Sequence, residues 1–453
     1  MLALFLLLIV VIFSTIFYEI LGEHLINNTS FLRGLWFVIY AFACVMSVRY
    51  SGYVSVFSIF LILSFVFNYG RIFLALFTNY EMEYTDLFFT TYIYKETQIE
   101  LLQLVIFCLL ASLFAFFLYY RKSKLSISHS PELMKVGSLL MLFSAVPLSF
   151  NYILEFRYII SHGYLSIFTG EMSRNTHTFL PTLFPRFFTI GFMLFLASIP
   201  PISKFKKMAF FYLVVIFLSA LKGQRGEFFL NIIYIVWYFH SMYSVKFSLK
   251  KGLLIVSFLL VFSQLALFFR SGIEANILDV PYEFIRLNSI SINVPIYLIQ
   301  YKDELIRNGV PYIFAPIHDY FYRIFVDRAV FYAGPSPELL EVSNYLSYHL
   351  IHFVNETAFY MGNGTGTSYL AEVYDLGGLY FGSIVMFFLT LFALFWEKKA
   401  FSSRYFNFMS FIVLSQFMYM PRDAFFKIVD NIIIYSLIYL IVIYFIKLRK
   451  EKI

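Results

Sequence analysis

The chain has 453 residues, of which 60% are hydrophobic and only 13% are charged, and its formal net charge is +7 at pH 7. Soluble globular domains usually carry about 25% charged residues, so this composition excludes a soluble globule. The two cysteines, Cys44 and Cys108, lie inside apolar segments, which excludes a disulfide framework. We expect no cofactor and no nucleic-acid partner.

Apolar segments of the length that crosses a bilayer recur along the chain. A hydrocarbon core of about 30 Å requires about 17–25 apolar residues in a helix. The first segment begins at Met1 without a charged region or a small-residue cleavage site, so we interpret it as a retained span and not a signal peptide. The sequence predicts an all-α polytopic membrane protein with about 12 transmembrane helices, near 2–18, 34–50, 53–70, 101–120, 134–154, 183–199, 207–221, 227–243, 252–269, 378–396, 405–420 and 429–446.

A polar insert separates the first nine spans from the last three. We predict a nine-span region over 1–270, a large periplasmic loop with amphipathic helices over 271–377, and a three-span region over 378–453. Basic residues in short loops stay cytoplasmic, and here they place both termini in the cytoplasm and the insert outside. These basic loops are Arg121–Lys124, Lys204–Lys207, Lys246–Lys251, Lys398–Lys399 and Lys447–Lys452.

The cations that this topology places outside are mostly arginines, whereas the cytoplasmic ones are mostly lysines. Arginine presents a planar, permanently charged fork that binds phosphate or carboxylate in bidentate geometry. A simpler alternative is that these arginines pair with the many Asp and Glu residues on the same side. Both explanations apply to each candidate arginine.

The first candidate lies in Lys222-Gly-Gln-Arg-Gly-Glu227, between the seventh and eighth spans. Two glycines flank Gln224 and Arg225, so the backbone can turn tightly and present Arg225 at the membrane face. Ionisable groups at this depth are costly and indicate a function by default. The alternative is a hairpin tip whose arginine reaches the lipid headgroups.

Pro421-Arg422-Asp423, between the last two spans, has the same character. The external loop is very short there, so Arg422 must lie near the interface or inside the bundle. Asp423 is its sequence neighbour but points elsewhere on a helix, because residues three or four apart share a face. We interpret this segment as functional.

The insert supplies arginines that have acidic neighbours. Glu283 precedes Arg286 by three residues, and Arg323 has Asp319 and Asp327 four residues to either side. Ion pairs of this kind on a helix surface contribute only about 0.3–0.5 kcal/mol. Such pairs alone do not explain why arginine is used.

The histidines of the insert suggest two kinds of site. His349, His352 and Glu356 share one helical face, a spacing that could ligate zinc. One face gives only three ligands and no HExxH motif is present, so we interpret them as polar residues with other partners and expect no metal. His318 is adjacent to Asp319, which could orient it as a base.

The insert ends in Gly362-Asn-Gly-Thr-Gly-Thr-Ser368. This segment lacks the lysine of a Walker loop and lies outside the cytoplasm, which excludes a nucleotide site. A Gly-rich segment that opens a helix exposes N–H groups that can hold an anion; the alternative is a plain linker. Glu372 lies one turn into that helix, where its carboxylate could act as a base or a sugar ligand.

The order of these features resembles the Wzy-type O-antigen polymerase family, bacterial enzymes that join lipid-linked oligosaccharide repeat units. The matching features are the glycine-flanked Arg225, the long loop before the last three spans, the Gly-rich stretch from Gly364 to Gly378 with its acidic residue, and Arg422-Asp423. The resemblance is clearest in the second half of the chain.

The resemblance implies a bacterial inner-membrane enzyme that transfers glycans on the periplasmic side. It implies a metal-independent, inverting mechanism and a fold like those of O-antigen ligases and other C-type glycosyltransferases. The donor and the acceptor would be glycans on undecaprenyl pyrophosphate in the bilayer. A chain-length regulator and a flippase would be partners.

The resemblance places the family's functional arginines at Arg225 and Arg422, and less directly at Arg286 and Arg323, and we assign stabilisation of the leaving pyrophosphate to these four. The other roles are hypotheses from the residues themselves. Glu372 or His318 is the candidate base. Substrate binding is assigned to Lys222, Arg328, Arg270, Asp423 and Tyr322. Arg270 ends the ninth span, where an interfacial anchor is the simpler interpretation.

Three other functions remain open. A flippase of lipid-linked sugars would use charged residues inside the bundle and would need no long external insert. An O-antigen ligase shares the architecture but would attach finished chains to the lipid A core. A non-catalytic scaffold for a chain-length regulator would tolerate single arginine substitutions.

Overall fold

The computed structural model of the chain describes residues 28–78, 80–82, 92–120, 126–162, 179–221, 225–245, 280–305, 309–331 and 333–451. Within these ranges, the side chains at 179–182, 225 and 450–451 lie outside the description. The predicted spans near 2–18 and 252–269, together with Lys222 and Arg270, also lie outside the described residues.

The described residues form helices and connecting turns, without a β-strand. The described residues before the insert form seven helices: α1 (Thr29–Ser51), α2 (Val56–Phe77), α3 (Lys95–Tyr119), α4 (Pro131–His162), α5 (Phe179–Ala197), α6 (Ile202–Leu221) and α7 (Arg225–Tyr243). The described part of the insert forms seven shorter helices: α8 (Val280–Asn288), α9 (Asn293–Gln300), α10 (Ala315–Phe325), α11 (Pro337–Val342), α12 (Leu346–Val354), α13 (Glu356–Tyr360) and α14 (Tyr369–Asp375). Three helices follow: α15 (Gly378–Ala400), α16 (Arg404–Tyr419) and α17 (Val429–Glu451).

Ten of these helices coincide with ten of the twelve predicted spans. Six are long and apolar enough to cross a membrane, namely α1, α2, α3, α4, α15 and α17 with the turn before it. A shorter apolar helix, Leu183–Ala197, lies within α5. The all-helical prediction is confirmed and the polytopic membrane class agrees with these spans, whereas the count of twelve stays a prediction.

The outward face of α4 is apolar. On α4, Leu139, Leu142, Phe143, Val146 and Phe150 are each more than half exposed and follow one another along one face of the helix. Soluble proteins rarely expose contiguous apolar surface of this kind. This face is therefore suited to contact with lipid, and the bundle interior lies on its opposite side.

Local signals in the sequence determine where the helices begin. Asn28 caps α1 by accepting hydrogen bonds from backbone N–H groups of its first turn. Ser55 caps α2 in the same way.

Glu397 reaches across from α15 and accepts hydrogen bonds from Val56 N (3.1 Å) and Trp237 Nε1 (3.0 Å). The carboxylate thereby ties α2, α7 and α15 together.

Helices α4 and α5 pack with their backbones in close contact. A Cβ atom added to Gly137 would lie 2.5 Å from Phe195 N, and one added to Gly191 would lie 2.8 Å from Met141 N. Small residues permit this kind of approach between membrane helices. The two glycines therefore set the spacing of this helix pair, and a larger residue at either would force the helices apart.

Hydrogen bonds join helix ends that the predicted alternation places on the same side. At one end, Ser126 N donates to Phe401 O (2.9 Å), which connects two segments predicted to be cytoplasmic. At the other end, Tyr369 N donates to Met420 O (2.9 Å), which connects the Gly-rich segment to the turn after α16. Which end faces the periplasm stays a prediction.

The insert packs directly on the bundle. A Cβ atom added to Gly70 in α2 would lie 2.6 Å from Ile285 Cγ2 in α8. Helix α9 packs against α3 and α14, and Arg71 Nε donates to Arg286 O (3.1 Å). The short helices of the insert therefore rest on one end of the bundle, and the division into three regions stays a prediction.

Candidate functional site

Helix α2 contains a π-helical turn where it meets the insert. Over Phe65–Tyr69 the backbone hydrogen bonds run to the fifth residue instead of the fourth. Single π-helical turns are frequent at functional sites. In this turn Phe67 contacts the segment after α16, and the fully buried Asn68 accepts a hydrogen bond from Ser368 Oγ (3.3 Å).

Arg422 follows α16, and its guanidinium carbon lies 5.3 Å from the ring centroid of Phe67. Its sequence neighbour does not neutralise it, because Asp423 Oδ2 pairs with Lys427 Nζ at 2.7 Å. Among the described residues, no carboxylate oxygen lies within 4.0 Å of the Arg422 guanidinium nitrogens. The half-buried Arg422 therefore carries a positive charge that no described carboxylate balances.

The Gly-rich segment packs against the same turn. Gly366 has a φ of +71°, a left-handed conformation that suits glycine, and a Cβ atom there would lie 3.6 Å from Arg422 O. Farther along, Tyr369 and Tyr69 share a hydrogen bond between their hydroxyls (2.7 Å). Three segments that are distant in sequence thus meet: the π-helical turn, the Gly-rich segment and the turn after α16.

Glu372 fastens two of these segments from a buried position. Only 2% of the residue is exposed. Its Oε1 accepts a hydrogen bond from Thr367 Oγ1 (3.2 Å), and its Oε2 accepts one from Phe425 N (3.3 Å). Burial raises the pKa of this carboxyl well above its usual range, and the negative charges of Asp423 and Asp375 add to the effect. In this arrangement Glu372 holds protein segments together.

The N-terminus of α7 lies beside the same turn. A Cβ atom added to Gly226 would overlap the hydroxyl oxygen of Tyr419, the last residue of α16. The Tyr419 ring centroid lies 5.6 Å from that of Phe67, and its carbonyl accepts a hydrogen bond from Arg422 N (2.9 Å). Arg225 precedes Gly226, so its backbone starts close to the Arg422 turn; its side chain lies outside the described residues.

In the insert, Asp319 is the centre of a buried hydrogen-bond network. It is 1% exposed and accepts hydrogen bonds from Ser343 Oγ and from Asn344 N (3.1 Å). His318 Nδ1 lies 3.0 Å from Asp319 Oδ1 and 2.8 Å from Asn344 Nδ2. The Asn344 amide nitrogen can only donate, so Nδ1 accepts from it in one tautomer; in the other, Nδ1–H donates to Asp319 Oδ1 and Nε2 of the partly exposed ring is unprotonated.

Arg323 lies one turn farther along α10. Its Nε donates to Asp319 O (3.1 Å), and its guanidinium carbon lies 5.6 Å from the Phe331 ring centroid. The sequence offered Asp319 and Asp327 as partners, yet no carboxylate of the described ranges lies within 4.0 Å of this guanidinium. Arg323 therefore resembles Arg422 in keeping its charge.

Tyr345 lies between the charged residues of α10 and those of the turn after α16. Burial raises the pKa of its phenol well above the usual range, and the negative charges of Asp423 and Asp319 raise it further, while Arg323 opposes them. A single phenol therefore lies within electrostatic reach of both α10 and the turn after α16. The insert brings its charged residues to the end of the bundle where Arg422 lies.

Arg286 differs from the other two described arginines of the predicted set. Its guanidinium pairs with Glu283 at 2.8 Å, the local partner that the sequence offered as the simpler explanation. Its carbonyl accepts the hydrogen bond from Arg71. Its backbone thus lies at the site, whereas its charge is balanced within its own helix.

Arg71 is a buried cation that the sequence analysis missed. It is 2% exposed, and besides its bond to α8 its guanidinium donates to Asn293 Oδ1 (3.3 Å). The signal was Asn68-Tyr-Gly-Arg71 at the end of the third predicted span, because polar and ionisable residues there are costly without a role. Arg71 anchors the insert to the π-helical turn.

The remaining candidates lie at the edges of this cluster. The Tyr322 ring centroid lies 6.1 Å from that of His318. Arg328 lies in the exposed turn after α10. Lys222 and Arg270 are outside the described residues.

The three residues of the possible zinc face do not converge on one point. His349 Nε2 bonds to Ser343 O (2.7 Å), and burial lowers the pKa of its imidazole, which favours the neutral form. His352 Nε2 lies 3.6 Å from Glu356 Oε1. In the described part of the chain, no three His, Cys, Asp or Glu residues are grouped to hold a metal.

Comparison with known protein families adds the deciding observation. The family model described as O-antigen polysaccharide polymerase Wzy matches residues 1–452 of this chain. The chain belongs to the Wzy family. The resemblance inferred from the sequence is confirmed, and with it a general role in O-antigen polymerisation. The comparisons with curated proteins and with solved structures return no match.

Membership of the Wzy family defines the class of substrate. Its substrates are lipid-linked glycans in a membrane, and the apolar helices fit a multi-pass membrane protein. Arg422 and Arg323 are permanently charged groups whose geometry suits phosphate. In this Wzy protein they lie at the end of the bundle on which the insert rests.

Proposed function

We propose that this Wzy protein joins repeat units carried on undecaprenyl pyrophosphate, at the periplasmic face of the bacterial inner membrane, and that Arg422 binds the leaving pyrophosphate. The observation that carries the proposal is the free charge of Arg422. Its nearest acid in sequence, Asp423, is engaged by Lys427. A guanidinium held at a junction of chain segments without a carboxylate partner is prepared to bind an anion.

The proposed reaction is a single displacement. A hydroxyl oxygen of the acceptor glycan attacks the anomeric carbon of the donor, and the bond from that carbon to the pyrophosphate oxygen breaks. The bonding electrons leave with the pyrophosphate, while the hydroxyl proton passes to a base. Attack from the face opposite the leaving group inverts the anomeric configuration, and no metal is required if fixed cations stabilise the departing charge.

Arg323 and Arg225 are the proposed companions of Arg422. Arg323 has no described carboxylate partner, and the backbone of Arg225 starts beside the Tyr419 contact. Arg286 can bind the pyrophosphate only if a substrate phosphate displaces Glu283 from its guanidinium. These guanidinium groups would stabilise the negative charge that develops on the leaving pyrophosphate in the transition state.

His318 is the base that the geometry supports best. In the tautomer whose Nδ1–H donates to the buried Asp319, Nε2 is unprotonated and can take the proton of the acceptor hydroxyl. A carboxylate that orients a histidine in this way is a recurrent device of acid–base catalysis. Glu372 fits the role less well, because it is buried and both its oxygens accept hydrogen bonds from the protein.

The other residues are proposed to bind the substrate around this centre. Tyr322 offers an aromatic ring beside His318, and Asp423 keeps Lys427 in place. Arg328, Lys222 and Arg270 are proposed as contacts for substrate phosphates. A flippase would deliver the repeat units, and a chain-length regulator would act beside the polymerase.

The test compares Arg422→Ala with a matched control, Arg404→Ala. Arg404 bonds to Ser128 at the opposite end of the bundle. We expect Arg422→Ala to lower the polymerisation rate by about 10²–10³, the usual effect of removing one donor to a developing anion. Lipopolysaccharide from these cells should carry single repeat units, whereas the control should keep the full ladder.

Two outcomes of this test would count against the proposal. A full ladder from Arg422→Ala, at protein levels equal to the control, would remove Arg422 from the reaction. Cells in which no repeat unit reaches the lipid A core would instead indicate lost transport, as expected of a flippase.

A further inference from the structure

Helix α10 buries a carboxylate and exposes three large apolar side chains, unlike a typical surface helix. Amphipathic helices in soluble proteins bury the apolar face and expose the polar one. In α10 the buried face includes Asp319, which is 1% exposed, whereas Phe321, Ile324 and Phe325 are 46%, 53% and 75% exposed. A soluble environment would disfavour this arrangement, because large apolar side chains face outwards while a carboxylate is sequestered.

The exposed side chains form one continuous stripe. Phe321 and Phe325 are four residues apart and their ring centroids lie 6.1 Å from each other. Phe314, seven residues before Phe321, is 41% exposed, and Val326 just after the helix is 68% exposed. Residues separated by seven or eleven positions return to the same side of a helix with 3.6 residues per turn. We call Phe314, Phe321, Ile324 and Phe325 the apolar stripe.

The apolar stripe adjoins a helix whose surface is suited to lipid. Helix α10 packs against the turn Phe425–Ile428 and the beginning of α17. The Phe314 ring stacks on the Phe426 ring, with centroids 5.7 Å apart. On α17 itself, Leu437 and Leu440 are more than half exposed, and the helix is apolar enough to cross a membrane. The stripe therefore continues the lipid-exposed face of α17 at its N-terminal end.

We propose that α10 lies in the plane of the membrane, with the apolar stripe inserted among the lipids of the adjoining leaflet. An interfacial helix buries its apolar face about 5–10 Å into the boundary between headgroups and acyl chains. This placement holds Arg323 and His318, which lie on the same helix, at the depth of lipid phosphates. It deepens the proposed function, because a polyprenyl pyrophosphate then meets these residues without leaving its leaflet.

The test uses tryptophan fluorescence of the full-length protein in lipid nanodiscs. Phe325→Trp reports on the stripe, and Glu341→Trp on α11 is the matched control at an exposed polar position of the insert. The three native tryptophans give the same background in both variants. Lipids brominated near the headgroup end of the acyl chain should quench Phe325→Trp more strongly than Glu341→Trp, and aqueous iodide should show the opposite order.

Two results would overturn the proposal. Equal quenching of both variants by iodide, with no response to brominated lipid, would place the stripe in water. Protection of Phe325→Trp from both quenchers would show that protein covers it, for example a second copy of the chain. Ile324→Trp repeats the measurement if Phe325→Trp is not stably produced. Because quenching does not depend on turnover, the result stands even if Arg422→Ala retains full polymerisation.

Discussion

Asp423 directs its carboxylate to Lys427 Nζ, 2.7 Å away, although Arg422 is its neighbour in the chain. Asp423 lies in the bend before the turn Phe425–Ile428, and Lys427 lies within that turn, so the pair closes the chain reversal between them. Lys427 thus removes the one acid that could most easily neutralise Arg422. The ion pair is exposed on the lysine side, so its direct effect on stability is small. Its main consequence is the free charge of its neighbour.

The first prediction concerns this ion pair. Lys427→Ala releases Asp423 to approach Arg422, so we expect slower polymerisation without a large loss of stability. Asp423→Asn combined with Lys427→Ala removes both charges and should restore part of the activity. A double-mutant cycle on the polymerisation rate measures this coupling. Equal activity of the single and the double variant would show that the lysine acts in another way.

The second prediction concerns the ring under Arg422. Phe67→Leu removes a cation–π contact that contributes about 0.5–2 kcal/mol, so the guanidinium should be less well positioned. Phe67→Trp keeps the contact and should keep the activity. Steady-state kinetics with lipid-linked donor should show the larger change in kcat if the contact positions Arg422 for the transition state. Identical kinetics for the Leu and Trp variants would exclude this role.

The third prediction concerns the contact between α7 and α16. Gly226→Ala adds a methyl group where the Tyr419 hydroxyl lies, so the two helix ends must separate and polymerisation should fall. Tyr419→Phe removes the hydroxyl and should rescue Gly226→Ala in the double variant. The lipopolysaccharide ladder of the three strains, at matched protein levels, is the readout. Absence of rescue would mean that the contact does not set the position of Arg225.

The fourth prediction concerns the buried carboxyl of Glu372. Its folded pKa is raised above the ordinary value of 4.5, so the folded state holds the proton more tightly than the unfolded state. The resulting stability is fully present below about pH 4.5 and is lost as the pH rises towards the folded pKa. Glu372→Gln should remove this loss and melt at a higher temperature than the parent protein near neutral pH.

Thermal unfolding in detergent over a series of pH values checks this sign. The difference between Glu372→Gln and the parent should grow from about pH 4.5 upwards. Glu341→Gln, at an exposed carboxylate on α11, serves as the comparison. A parent protein that becomes more stable than Glu372→Gln as the pH rises would contradict the burial argument.

The helices could be predicted from the sequence because their signal is local. Length and hydropathy identify an apolar helix without knowledge of its neighbours, and ten predicted segments coincide with described helices. The pair of Arg286 with Glu283 was also foreseen, since residues three apart on a helix meet. Local spacing was sufficient in both cases.

The rest depends on contacts between distant parts of the chain. The sequence suggested Asp319 as a partner for Arg323, but its carboxylate bonds to Ser343 and Asn344, more than twenty residues later. The sequence contains 60 phenylalanines, so nothing in it identifies Phe67 as the ring that contacts Arg422. Asp423 and Lys427 are four residues apart, but Asp423 lies in a bend and not in a helix, so their spacing alone does not predict the pair.

The most direct measurement is the affinity of the purified protein for undecaprenyl pyrophosphate in nanodiscs, compared between the parent, Arg422→Ala and Arg404→Ala. A hydrogen bond to a charged group contributes about 1.5–3 kcal/mol, so Arg422→Ala should bind about 10–100-fold more weakly. Arg404→Ala should match the parent protein. Unchanged affinity in Arg422→Ala would contradict the central claim that this arginine holds the leaving diphosphate.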